Sequence, residues 1–196
     1  PVNKDEINSS IAKAIAQIEA KRKTDATTIA LQHIVNNNLP QLQDAFISNL
    51  LRKEPRAPNL VTEKIKKLNI PLLGPQYTTA LIAIRTDSED SQNKEIVLLL
   101  LRDMIRSFIA GSSTSVYAFV NSDNRLVCIF NTSISDPDNY IESVLIKAQS
   151  QLLQSRNAHL YAGIGCTVNS PNDLHSSYSG ALSSLKYQAL LGDENI

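Results

Sequence analysis

The stretch Val116 to Phe130, VYAFVNSDNRLVCIF, constrains the fold more than any other part of this 196-residue chain. Two runs of β-branched, aromatic and aliphatic residues flank the polar segment Asn121-Ser122-Asp123-Asn124-Arg125. Strand formers on both sides of an Asp-Asn turn favour antiparallel pairing, so the stretch predicts a β-hairpin.

Around the hairpin the predicted elements come in a definite order. Thr78 to Ile84 is a strand, and the polar stretch Thr86 to Asn93 leads into a helix over about Lys94 to Ala110, with Gly111 placed for a left-handed stop. After the hairpin, Asp136-Pro137 supplies an N-cap and a first-turn proline for a helix to about Gln154, with Ile141, Leu145, Ala148 and Leu152 inward. His159 to Ile164 reads as a fourth strand, ended by Gly163 and Gly165. Ser170-Pro171 then caps a last helix to Leu191, with Leu174, Tyr178, Ala181, Leu182 and Leu185 buried and Gly192 as its stop. The sum is α+β, a ferredoxin-like βαββαβ arrangement with a terminal helix. Its first strand is central, between the fourth strand and the second hairpin strand, with helices on one face of the sheet. Cys128 and Cys166 then lie on opposite sides of that strand, which argues against a disulfide.

The segment before Pro75 is helical in pattern and forms a linker over residues 1–75, leaving 76–196 as the folded domain. Asn3 and Glu6 form a capping box for a helix of about Lys4 to Lys23, along which Ile7, Ile11, Ile15 and Ile18 recur at helical spacing. Val35, Leu39, Leu42 and Phe46 then stand at the four-three-four spacing of a coiled-coil seam. These residues serve equally as a dimer or relay seam and as an apolar face turned onto the following domain. Pro40 interrupts the pattern, either as a kink after Asn36-Asn37-Asn38 or as the start of a second helix reaching about Arg52. Leu60 to Leu68 is a short basic helix.

Composition closes off several functions. Net charge is zero, with 11 basic and 7 acidic residues in 1–75 against 8 and 12 in 76–196, and neither half clusters Lys and Arg as a nucleic-acid surface does. His33, His159 and His175 are scattered without ligand spacing, so no metal site is expected. The longest apolar run, Ile96 to Leu101, is too short to span a bilayer, and no signal-type apolar segment stands near the N-terminus. A cytoplasmic protein without membrane contact is expected.

Residues 76–196 resemble a degenerate GGDEF domain, the diguanylate cyclase fold. In active members of that family the end of the first strand supplies metal-binding aspartates, and the hairpin turn carries a glycine pair, then two carboxylates and a phenylalanine. Here the strand reads Leu81-Ile82-Ala83-Ile84-Arg85-Thr86 and the turn reads Ser122-Asp123-Asn124-Arg125, with no acid in the first and a single carboxylate in the second. Two-metal phosphoryl chemistry needs several convergent carboxylates. The resemblance with these departures implies no catalytic residue, no cofactor and no enzyme activity. Asp123 reads instead as a turn former bonding its own backbone. A second possibility is a nucleotide-type ligand in the remnant cleft, with Arg85, Asp87 and Arg125 at its rim.

The chain is further similar to the middle region of response regulators that carry an N-terminal receiver and a C-terminal AraC-type DNA-binding domain. Gln41 to Ile70 is similar to the helical segment ahead of the cyclase-like domain there. Gly163-Ile164-Gly165 with Tyr178, Ala181 and Leu182 is similar to its final strand and helix, and Pro1 to Ile7 resembles the residues just after a receiver's last strand. This resemblance implies a piece of a longer homodimeric regulator. Its partners are the receiver and helix-turn-helix domains of the same polypeptide, a sensor histidine kinase acting through the receiver, and DNA only through the C-terminal domain. Its role would be to relay phosphorylation through an element with two arrangements, and the helix around Asn36 to Pro40 is the candidate.

Overall fold

The computed structural model describes residues 38–53, 58–72, 74–86 and 91–191. The chain divides into two compact units, Pro1–Leu42 and Gln43–Ile196. Residues 38–52 are helical (α1), and α2 spans Pro58–Lys67. The sheet strands are β1 (Gln76–Thr86), β2 (Thr114–Val120), β3 (Leu126–Thr132) and β4 (Ala158–Ile164). Between and after them run α3 (Ser91–Ile109), α4 (Pro137–Arg156), a 3-10 turn at Pro171–Asp173 and α5 (Leu174–Leu191). No helix among the described residues is long and apolar enough to cross a membrane.

The four strands lie in the order β2-β3-β1-β4 with every neighbouring pair antiparallel. This is the ferredoxin-like order, with β1 central as the sequence requires. A slip of one residue would turn each side chain to the opposite face and so exchange the residues that meet the two sets of helices. Cys128 sits opposite Ala80 on one side of β1, and Ile164 sits opposite Ala80 on the other, so Cys166 lies across the strand and both cysteines are free.

Local signals account for several boundaries. Asp136 accepts a hydrogen bond from the Asn139 amide at 3.3 Å and Pro137 opens α4. The left-handed residue after α4 is Asn157, φ 50°, whose amide donates to Leu153 O at 3.1 Å. Gly111, φ 81°, does the same service after α3. The Ser170 hydroxyl caps the Pro171–Asp173 turn that leads into α5.

Helices cover both faces of the sheet, where one covered face was expected. Every residue of β3 is buried, so neither side of the sheet can be left to water. Ala80, Ile82, Leu126, Cys128 and Phe130 point into a core closed by α3 and α4. Their neighbours Leu81, Val127 and Ile129, with Tyr117 and Phe119 of β2, point into a second core closed by α1, α2 and α5. Gly163 lies inside β4 and Gly165 stands just past its end, and both have a further role. A Cβ on Gly163 would meet Ala181 O at 2.0 Å, and one on Gly165 would meet Ser177 O at 1.8 Å, so the two glycines let α5 descend onto the strand. There the buried Ser177 hydroxyl accepts the Thr79 amide at 2.9 Å.

Residues of the predicted linker take part in this second core. Ile47, Leu50 and Leu51 of α1, Val61 and Ile65 of α2, and Ile70 and Leu72 after it are all buried there. Of the four seam candidates, Phe46 packs against this core with the Lys64 ammonium 5.9 Å from its ring centre, Leu39 is half-buried, and Leu42 is 54% exposed. Val35 lies outside the described residues, as do Asn36 and Asn37. Pro40 itself lies within α1.

Candidate functional site

The hairpin turn lies beside the C-terminal end of β1, because Leu126 pairs with both Val120 of β2 and Ile82 of β1. Its conformation comes from Asn121 and Asn124. The Asn121 amide donates to Arg125 O at 2.9 Å, and the Asn124 amide donates to Asn121 O at 3.1 Å. The Asn121 side-chain oxygen also accepts the amides of Asp123 and Arg125, each at 3.0 Å. Asn124 takes the left-handed region, φ 52°, which asparagine tolerates better than most residues. The turn former is therefore Asn121, not Asp123. A short amide side chain can accept two forward backbone amides, and Asp123 stands exposed at the tip.

The end of β1 contributes no acid. Leu81 and Ile82 are fully buried, and the Arg85 guanidinium lies 5.7 Å from the centre of the Tyr161 ring. Arg125 is half-buried, and Asp87 lies outside the described residues. Among the described residues no group of three or more His, Cys, Asp or Glu side chains is arranged to hold a metal ion. At the same end of the sheet, a cavity of about 600 Å³ is lined by Thr86, Asn93, Val97 and residues 153–157, the end of α4 and its cap. Its lining carries amides, hydroxyls and the Arg156 cation but no carboxylate.

Sequence reading misses the contact that ties the hairpin to the upstream helix. Tyr117 of β2, buried on the second face, donates its hydroxyl hydrogen bond to the Asp44 carboxylate of α1 at 2.5 Å. Burial first, and then the adjacent carboxylate, push the Tyr117 phenol well above its usual ionisation range. On the same helix, Gln43 Nε2 donates to Leu68 O at 2.7 Å, and Arg52 Nη2 donates to Ser122 Oγ of the turn at 3.4 Å. The readable signal was the i, i+3, i+4 set Ile47, Leu50 and Leu51, whereas partners 73 residues apart leave no local pattern.

Fold and site together define an α+β, ferredoxin-like domain whose β2–β3 turn occupies the signature position of a nucleotide-cyclase fold. The model of the GGDEF-like domain family matches residues 53–187, well over half of the chain, and the protein belongs to that family. A search of curated proteins finds no match to it.

Proposed function

We propose that this GGDEF-like protein is a non-catalytic signal-relay and dimerisation region of a cytoplasmic two-component response regulator, acting between a phosphoreceiver and an AraC-type DNA-binding domain. The observation that carries the reading is the turn itself. It keeps its place beside β1, yet an asparagine staple replaces the glycine pair and the neighbouring strand end carries no acid. Phosphoryl transfer needs cations held against the triphosphate by convergent carboxylates. The second support is the docking of α1 on the sheet, which couples upstream helix to domain.

Three observations test the reading. GTP incubated with the protein and Mg²⁺ or Mn²⁺ is expected to remain unconverted, and formation of a cyclic dinucleotide would refute the non-catalytic role. In the full-length regulator, Pro40→Ala is expected to alter phosphorylation-dependent DNA binding, and an unchanged response removes the relay. The reading frame should show a receiver before Pro1 and paired helix-turn-helix motifs after Ile196. A ligand-sensing reading draws on the cavity of about 600 Å³ beside the strand end. Calorimetry with guanine nucleotides separates the two, since a pure relay gives no binding heat.

A further inference from the structure

We propose that residues 43–52 of α1 form a releasable strap, held on the hairpin by a polar clasp between Asp44 and Tyr117, which leaves the sheet while the core under α3 and α4 stays folded. The regulatory use of this release rests on the relay reading above, but the release itself does not.

The sheet partitions the molecule. Ile47, Leu50 and Leu51 seat the strap in the second core, and the sheet separates them from Leu98, Leu101, Ile105, Ile141 and Leu152 in the first. Lifting the strap therefore uncovers the part of the second face beneath α1, with α2 and α5 still in place, and leaves the other face closed. The fastening is polar. Tyr117 is 7% exposed, and its hydroxyl meets the half-buried Asp44 carboxylate beside the apolar cluster of Ile47, Leu50 and Leu51. The buried phenol hydroxyl has this acceptor only while the helix is seated, so the pair favours one seating of the helix. When the helix lifts, the buried phenol hydroxyl regains water, which makes opening cheaper than exposing an all-apolar seam of the same size.

Contacts at the two ends of the strap fix its position further. Gln43 is tied to Leu68 O just beyond α2, and Arg52 reaches Ser122 in the signature turn. Lifting the strap breaks both, so the turn that resembles a cyclase loop becomes a contact point that registers whether α1 is seated.

Hydrogen exchange followed by mass spectrometry on this chain tests the proposal, using Tyr117→Phe, which keeps the ring, and Asp44→Asn, which keeps the side-chain shape. In the wild type, amides of 43–52 are expected to exchange faster than those of 98–105. Tyr117→Phe is expected to raise exchange in 43–52 about tenfold, the size expected for a lost hydrogen bond to a charged acceptor, and Asp44→Asn, which keeps an acceptor oxygen but loses its charge, to raise it by less, while both leave α3 and α4 within about twofold of wild type. Unchanged exchange in 43–52 in both variants overturns the proposal. So does an equal rise in α3 and α4, which would mean that strap and core open as one. If 43–52 loosens selectively but phosphorylation-dependent DNA binding in the full-length regulator is unaltered, the strap stands and the relay reading falls.

Discussion

Replacing Gly165 with alanine adds one methyl group where the structure has no room for it. The new Cβ would stand 1.8 Å from Ser177 O and 2.6 Å from the Ser177 carbonyl carbon. Non-bonded heavy atoms separate to about 3.5 Å, so α5 must retreat by roughly 1.5 Å. Backbone cannot swing aside as a side-chain tip does, and overpacking of this kind costs about 1–3 kcal/mol. The retreat also pulls the Ser177 hydroxyl from the Thr79 amide, and a buried donor without its acceptor costs about 1–3 kcal/mol more. The expected loss is about 4 kcal/mol, or a fall in Tm of roughly 12 °C for a domain of this size. Urea and thermal unfolding monitored by circular dichroism measure it. Gly180→Ala is the matched control, because its Cβ would meet nothing closer than 3.4 Å and alanine favours the helix by about 0.5–1 kcal/mol. A Gly165→Ala protein within about 1 kcal/mol of wild type would refute the close-approach account.

Turn chemistry predicts a contrast between neighbours: Asn121→Ala, which removes the acceptor of two amides, is expected to cost about 1–2 kcal/mol in urea unfolding, and Asp123→Ala less than about 0.5. A thiol reagent at mild alkaline pH should modify one cysteine per native chain, the exposed Cys166, because burial pushes the Cys128 thiol up to about 12; mass spectrometry of the labelled protein would expose a second modification. The same burial sets an alkaline limit. The unfolded thiol ionises near its ordinary 9.0 while the native one holds its proton to about 12, so unfolding releases a proton in that window and stability falls as pH rises through it. The slope approaches about 1.4 kcal/mol per pH unit, and Tyr117, raised from its ordinary 10.0, acts in the same direction at higher pH. Unfolding titrations of Cys128→Ala should show a shallower alkaline slope, and an unchanged slope removes Cys128 as its source.

Local chemistry made much of the fold legible. The Asp-Asn turn between strand formers, Asp136-Pro137 ahead of α4 and Gly111 behind α3 each act within a few residues, and each forms the element it predicts. Strand order came from the succession of elements and the handedness of crossovers. The second face was harder to read, because its cover comes from both ends of the described chain, α1 and α2 before the sheet and α5 after it. The packing role of Gly163 and Gly165 has no local signal, because the helix that requires them begins nine residues beyond Gly165 at Leu174. In the turn, Asn121 and Asp123 were nearly equivalent on propensity, and only the direction of the two backbone amides separates them. The Tyr117–Asp44 pair is tertiary, and no periodicity announces it.

Alternate residues of β3 belong to different cores, and this carries an evolutionary consequence. Leu126, Cys128 and Phe130 are constrained by α3 and α4, whereas Val127 and Ile129 answer to α1, α2 and α5. Volume changes on one side can be compensated on that side alone. Among relatives, therefore, odd and even positions of this single strand should drift as two unlinked groups, each covarying with its own helices.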